Sequence, residues 1–301
     1  MTVPPNLHAY SGMNINAAKR LMIQQFREAG LETPDVDARA LIMAATGFSH
    51  TDMIMRGKEC PSADILDGIA DYAARRLAGE PIDHILGYRE FYGRRFKVTK
   101  DVLSPRPETE MLVDAALGIL KDKPPSFMKP RILDLGTGSG AIIISILAEA
   151  KNVEGVAIDL SQAALDTAKE NAAAQTVEER LTFLQGSWFA PVSDQCCDRF
   201  DIILSNPPYI AAAAMEGLDI EVKDFDPDLA LRGGEDGLTA YRAIIAEAAN
   251  HLNPHGVLLF EIGYDQGRSV SDLLTRAGFG DISVQKDLSS HDRMIKAAFK
   301  A

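Results

Sequence analysis

From Arg131 onward the chain alternates between short apolar runs and longer amphipathic segments, and few architectures accommodate that alternation. RILDLG, GVAIDLS, LTFLQGS, FDIILSNPP, GVLLFEIG, DISVQKD and MIKAAFK read as seven strands. GAIIISILAEA, QAALDTAKENAAAQ, GLTAYRAIIAEAANHL and QGRSVSDLLTRAG, lying between them, carry apolar residues at helical spacing. Strands separated by helices return parallel to one another, so the pattern predicts a mostly parallel sheet with helices on both faces. The last two strands are joined by LSSHDR, too short for a parallel crossover, which predicts an antiparallel final strand.

The chain before this region has a different texture. NINAAKRLMIQQFREAG, TPDVDARALIMAATG and SADILDGIADYAARRLAGE read as helices, with Gly30 as a stop, Thr33 and Ser62 as caps, and Pro34 in a first helical position. ILGYREFYGRRFKVTKDVL then places aromatic and β-branched residues around Gly93, as a hairpin does. DKPPSFMKP reads as a loop. The expected organisation is a helical domain over 1–84, a hairpin connector over 85–103, and an α/β domain over 104–301.

Charge separates the same regions. Of the net −12, residues 1–100 contribute 13 basic and 12 acidic side chains, while residues 101–301 hold 18 and 31. The acidic α/β half is poorly suited to a nucleic-acid backbone, so no direct nucleic-acid binding is expected. Seven of the basic residues fall between Arg75 and Lys100. Such a run is either a solvated surface or a docking face for an acidic partner. The six histidines lack a metal-binding spacing, and three cysteines, two of them the adjacent Cys196 and Cys197, make no disulfide framework. No metal, no membrane span and a reducing, cytoplasmic setting are expected.

Two motifs carry chemistry. DLGTGSGA follows the first strand of the alternating region and opens a helix. Gly136, Gly138 and Gly140 allow a tight turn and close approach of a ligand to the backbone, with Thr137 and Ser139 between them. Asp159 ends the next strand, where an acid can accept hydrogen bonds from ribose hydroxyls. With Ala141 the turn also satisfies a dinucleotide fingerprint, so the turn alone leaves the nucleoside open. Asp134 is placed to meet an ammonium group. Trp188, just beyond the third strand, is open to two readings, adenine stacking or core packing.

The second motif is Asn206-Pro207-Pro208-Tyr209, where the fourth strand stops. Proline fixes φ and carries no N–H, so this corner presents acceptors without a competing donor. A planar NH₂ is a poor nucleophile because its lone pair is delocalised. The Asn206 side-chain oxygen and the Pro207 carbonyl could each take one of its N–H bonds, with the Tyr209 ring as a flat face. Asn206, Pro207 and Tyr209 are therefore candidate catalytic residues, and Asn206 to Tyr209 candidate substrate contacts. A glutamine amide and the exocyclic amine of adenine fit this chemistry equally.

An antiparallel last strand and an Asn-Pro-Pro-Tyr corner are both features of S-adenosylmethionine-dependent methyltransferases, which this half resembles. More specifically, RRLAGEPIDHILGYREFYGRRFKVTKDVLSPRPETEMLV, ILDLGTGSGAI, AIDLSQAALDTAKENA, FDIILSNPPYI, DPDLALRGGEDGLTAYR and GVLLFEIGYDQG occur in the order of the HemK/PrmC family. Those enzymes methylate the glutamine of the Gly-Gly-Gln motif in peptide chain release factors. The resemblance runs from about Arg75 to the C-terminus; the preceding residues match only as a helical domain.

The resemblance implies a class I, Rossmann-like methyltransferase fold of seven strands behind a small helical bundle. It implies S-adenosyl-L-methionine as cofactor, with S-adenosyl-L-homocysteine as product, held by residues 136–140, Asp159, Trp188 and Asn206. It implies release factors as protein substrates, docked by the helical domain, and a monomer acting without metal or membrane. Glutamine methylation of a ribosomal protein, N6-adenine methylation of DNA, and a non-enzymatic cofactor-binding module are the competing readings. Ser104, Asp226 and Ser187 depart from the family's usual aliphatic residue, Glu and Asp.

Overall fold

A computed structural model describes residues 7–122, 129–193 and 199–299. The adjacent cysteines and most of the expected DKPPSFMKP loop lie outside those residues. The chain forms two compact units, Met1–Gly87 and Tyr88–Ala301.

The first unit is helical: α1 (Ile15–Glu28), α2 (Pro34–Thr46), α3 (His50–Met55), α4 (Ala63–Leu77) and α5 (Ile82–Leu86). The Asn14 side chain caps α1 by accepting from the Ala17 N–H at 2.9 Å. Gly30, at φ +78°, turns the chain away after it. Thr33 and Ser62 occupy the expected cap positions but make no capping bond. Thr33 instead gives its hydroxyl to Asp37 at 2.8 Å, and Asp37 receives Arg76 Nε at 2.8 Å in a buried ion pair. The short helix α3 was not apparent from periodicity. Its signal is a capping box, in which Asp52 N–H donates to Ser49 Oγ and Ser49 N–H donates to Asp52. Ile15, Met22, Phe26, Leu41, Ile42 and Ile69 fill this unit's own core.

The hairpin belongs to the second unit. Strands β1 (Tyr88–Phe91) and β2 (Arg94–Lys97) pair antiparallel around Tyr92 and Gly93, both at positive φ as a two-residue primed turn requires. Phe91 and Phe96 meet edge to face and enter the larger core. There follow α6 (Glu110–Asp122), β3 (Arg131–Leu135), α7 (Ala141–Glu149), β4 (Glu154–Asp159), α8 (Gln162–Ala174), β5 (Leu181–Gln185), α9 (Ala190–Ser193) and β6 (Phe200–Ser205). The chain ends with α10 (Ile220–Phe225), α11 (Asp228–Leu231), α12 (Thr239–His251), β7 (Leu252–Glu261), α13 (Gly267–Arg276), β8 (Phe279–Lys286) and β9 (Asp292–Phe299).

The sheet order is β5-β4-β3-β6-β7-β9-β8. All neighbours pair parallel except β9, which runs antiparallel between β7 and β8, as the short final connection demands. Side chains alternate between two cores with period two. Ile132, Ile202, Leu204, Val257 and Leu259 join α6 and α7 on one face. Leu133, Ile203, Leu258 and Phe260 join α12 and α13 on the other. Strand order reverses between β3 and β6, whose register aligns Asp134 with Leu204. The loops leaving these two strands therefore flank the crevice of the sheet's switch point. One of them is the glycine turn and the other begins at Asn206.

The basic run divides between the two units, and local partners neutralise it. Arg75 pairs with Glu80, Arg76 with Asp37, Arg94 with Glu149 and Lys97 with Glu170, while the Arg95 guanidinium lies over the Tyr88 ring at 3.9 Å. A paired, solvated surface describes it better than an open cationic face. Among the described residues no helix is long and apolar enough to cross a membrane, and no cluster of His, Cys, Asp or Glu could hold a metal.

Candidate active site

A cavity of about 390 Å³ opens at the switch point. Its walls include Gly136, Thr137, Gly138, Ser139, Asp159, Ser187, Trp188, Asn206 and Pro208, together with Lys100 to Leu103, Arg106, Thr109 and Leu229. The glycine turn and the Asn-Pro-Pro corner thus share one space, of a size usual for a small-molecule site.

The glycine turn is locked by β4. Gly136 and Thr137 N–H both donate to the Ile158 carbonyl, at 2.9 and 3.0 Å. Gly138 N–H donates to Asp159 Oδ2 at 2.8 Å. Gly136, Gly138 and Gly140 all sit at positive φ. Gly140 holds φ +78° at the start of α7, a conformation that favours glycine, and a Cβ there would also have to displace the Ile144 Cδ1 methyl. Asn171 braces the turn from α8, donating to the Ser139 carbonyl at 2.9 Å and exchanging bonds with the Lys97 backbone. Asp159 also accepts the Ser161 N–H at 2.9 Å. The carboxylate remains on the cavity wall. Burial raises the Asp159 pKa against these backbone bonds.

Asp134 lies beneath the turn and is fully buried. Its Oδ2 accepts the Thr137 hydroxyl at 2.7 Å, while Oδ1 has no hydrogen-bond partner. Burial pushes the carboxyl up to about 7, opposed by the Thr137 hydroxyl and reinforced by Asp159. The Ile143 backbone at the start of α7 also favours the charged form, and Asp134 sits beneath the cavity wall rather than on it, so its charge would act on a ligand's ammonium through the turn. Trp188 has one side on the cavity and the other on the protein interior. It lines the cavity against Gly136, and it packs partly buried on the second core.

At the other wall, Asn206 Nδ2 points to Thr109 Oγ1 at 3.4 Å, and the Thr109 hydroxyl donates to Glu261 Oε2 at 2.6 Å. Pro207 is buried and Tyr209 lies on the second core, so the cavity meets the corner through Asn206 and Pro208. The chain after Pro208 zips to the segment following α11: Ile210 N–H donates to the Leu231 carbonyl at 3.0 Å, and Gly233 N–H to the Ile210 carbonyl at 2.8 Å. Gln266 Nε2 holds the Tyr209 carbonyl at 3.0 Å. Burial, then the Glu261 charge, lift the Tyr209 hydroxyl to about 12.

Thr109, Glu261, Gln266, Asn171 and the Arg106–Asp226 pair at 2.9 Å were absent from the sequence-derived site. Their sequence signal was membership of the segments PRPETE, FEIG, GYDQG, KENA and DPDL, with Asp226 noted besides only as a departure from a usual Glu.

Comparison with known proteins agrees with this geometry. Residues 17–87 match the PrmC N-terminal domain, and residues 110–220 the methyltransferase small domain. The chain is 43% identical over 281 residues to a release factor glutamine methyltransferase of Agrobacterium fabrum, covering 93% of this chain and 94% of that one. It is 43% identical over 286 residues to one of Cereibacter sphaeroides, covering 94% and 98%. Among solved structures, the hMettl16 catalytic domain in complex with the MAT2A 3′UTR hairpin 6 superposes with a TM-score of 0.55 at 13% identity, covering 69% of this chain and 76% of that one. That likeness is one of fold, the class I methyltransferase sheet. With identity above two-fifths along nearly its whole length and both domains matched, the chain belongs to the release factor glutamine methyltransferase family.

Proposed function

We propose that this protein methylates the side-chain amide nitrogen of the glutamine in the Gly-Gly-Gln motif of a peptide chain release factor, using S-adenosylmethionine. The observation that carries the reading is one cavity lined by both Asn206 and the glycine turn. When bound, S-adenosylmethionine supplies a methyl group on a cationic sulfur, the electrophile of the transfer.

Gly136 to Gly140 would lie along the nucleoside's amino-acid side, the Asp134 carboxylate would attract its ammonium from beneath the turn, Asp159 would take its ribose hydroxyls, and Trp188 a face of its adenine. Asn206 Oδ1 accepts one N–H of the substrate amide and the Pro207 carbonyl the other. The two acceptors localise electron density on the nitrogen and hold it in line. Being neutral, Asn206 orients the NH₂ without competing for its proton, which passes to solvent once the methyl has moved. Preorganised dipoles and positioning of this kind each supply several kcal/mol, about enough for 10²–10³-fold apiece. Tyr209 stiffens the corner from behind. The helical unit is the proposed docking element for the release factor.

Incubating the enzyme with a release factor and S-adenosylmethionine, followed by peptide mass spectrometry, tests the reading. One added methyl on the Gly-Gly-Gln glutamine is expected. Methylation of a ribosomal protein with the release factor untouched would overturn the substrate assignment while leaving the chemistry standing.

A further inference from the structure

A carboxamide has two ends of nearly equal size, and only one of them serves the proposed reaction. Asn206 must aim its oxygen at the substrate amide and turn its nitrogen away. Nothing in the shape of the side chain enforces that choice, so the choice has to come from what its inner end meets.

That end meets Thr109, a buried hydroxyl 4% exposed. A threonine hydroxyl has one proton and two lone pairs. With Glu261 ionised, its single proton is committed to Glu261 Oε2 at 2.6 Å, a short bond of the charge-assisted kind. Only lone pairs are left facing Asn206, and a lone pair accepts from an NH₂ but repels a carbonyl oxygen. We propose that Thr109 and Glu261 are positioning residues that set the polarity of the Asn206 carboxamide: a one-way chain, Asn206 Nδ2–H to Thr109 Oγ1–H to Glu261, keeps the Asn206 oxygen on the cavity side. The proposal rests on the reading of Asn206 as the acceptor of the substrate's N–H.

Glu261 is suited to anchor such a chain. It is 3% exposed at the end of β7, next to the corner in the sheet. Around it stand Arg293 from β9, Tyr209 beyond β6, Glu108 from the turn before α6, and Tyr241 from α12, whose hydroxyl donates to the Glu261 carbonyl at 2.9 Å. Fully apolar packing would fill this space at lower desolvation cost. A buried carboxylate beside a hydroxyl is economical where direction, not mere contact, has to be specified.

The test compares Thr109→Val, Thr109→Ser and Glu261→Gln with the wild type on a full-length release factor. Thr109→Val is nearly isosteric but has no hydroxyl. Glu261→Gln can donate to Thr109 Oγ1, which frees the threonine proton to turn toward Asn206 and invert the amide. Both are expected to lower kcat about 10–100-fold with S-adenosylmethionine affinity within about threefold. Thr109→Ser should keep kcat within about threefold, and the Val/Gln double variant should be no slower than the worse single one, because the residues form one chain.

A second readout is independent of turnover. The Asn206 Nδ2–H₂ resonances, assigned by their loss in Asn206→Ala, should keep their positions in Thr109→Ser and move in Thr109→Val and Glu261→Gln. Unmoved resonances in Thr109→Val, or equal losses in the Val and Ser variants, would overturn the proposal. A wild-type enzyme that methylates no release factor would instead overturn the functional reading, and the resonances would still decide the polarity of the amide.

Discussion

The two walls of the cavity are built in opposite ways. The glycine turn is held by neighbours: its N–H groups go to Ile158 and Asp159 at the end of the adjacent strand, and its conformation is written into three glycines. The Asn-Pro-Pro-Tyr corner is rigid within itself but is held from a distance. Thr109 lies 97 residues before Asn206, Gln266 lies 57 after Tyr209, and the backbone of residues 231–233 is zipped alongside. One wall is a local motif, the other an assembly of four chain segments. Damage to the first should therefore appear in cofactor binding, and damage to the second in turnover.

The largest effect is expected from Asn206→Ala, which removes an acceptor from the reacting nitrogen. Release factor methylation should lose about 10²–10³-fold in kcat, while S-adenosylmethionine affinity measured by calorimetry stays within about threefold. A loss confined to cofactor affinity would erase the division between the walls.

Two glycine substitutions sharpen it. A Cβ on Gly233 would stand 2.7 Å from the Tyr209 carbonyl carbon, so Gly233→Ala must push the corner. Gly140→Ala meets Ile144 Cδ1 and is also forced to hold φ +78°, a strain of about 1–2 kcal/mol before any clash. Steady-state kinetics should show Gly233→Ala losing about 10–100-fold in kcat, and Gly140→Ala raising the cofactor KM by about tenfold. Reversal of the two patterns would show that the walls are mechanically one.

The same contrast explains what could be read from the amino-acid sequence. Alternation of apolar runs and amphipathic segments, with a final connection of six residues, is enough to dictate the seven-stranded sheet and its antiparallel β9. The glycine turn was legible because strand, turn and acid are close together and each residue type has a local reason. Asn206 was legible because prolines after a buried strand are costly unless used. Thr109 and Glu261 were not, since a threonine in a turn and a glutamate ending a strand have ordinary local explanations; only the fold brings them 2.6 Å apart. The long-range zipping of the corner to residues 231–233 was likewise invisible to local reasoning. In the helical unit, Thr33 looked like a cap for the same reason, and a partner four residues on, tied to Arg76, claims its hydroxyl.

The most diagnostic effect concerns Asp134. Its carboxyl titrates near 7 in the fold against an ordinary 3.8, because burial penalises the charged form. An acid with a raised folded-state pKa favours the folded state fully when protonated, below about pH 4, and loses that contribution as pH rises through about 7. Asp134→Asn stays neutral throughout, so its thermal stability relative to wild type should climb between pH 4 and 7 and level off above, by of the order of 2–4 kcal/mol. Glu261, pushed up to about 7 by its own burial, titrates in the same window but is common to both proteins and cancels in the difference. Cofactor binding should move the other way. In the wild type the affinity should strengthen about tenfold per pH unit up to 7, as the proton that an ammonium must displace is lost, and be flat in Asp134→Asn at about a tenfold weaker level. Melting curves and calorimetric titrations at pH 5, 6, 7 and 8 measure both slopes. Equal pH dependence in the two proteins would mean that Asp134 is already charged and paired in the absence of ligand.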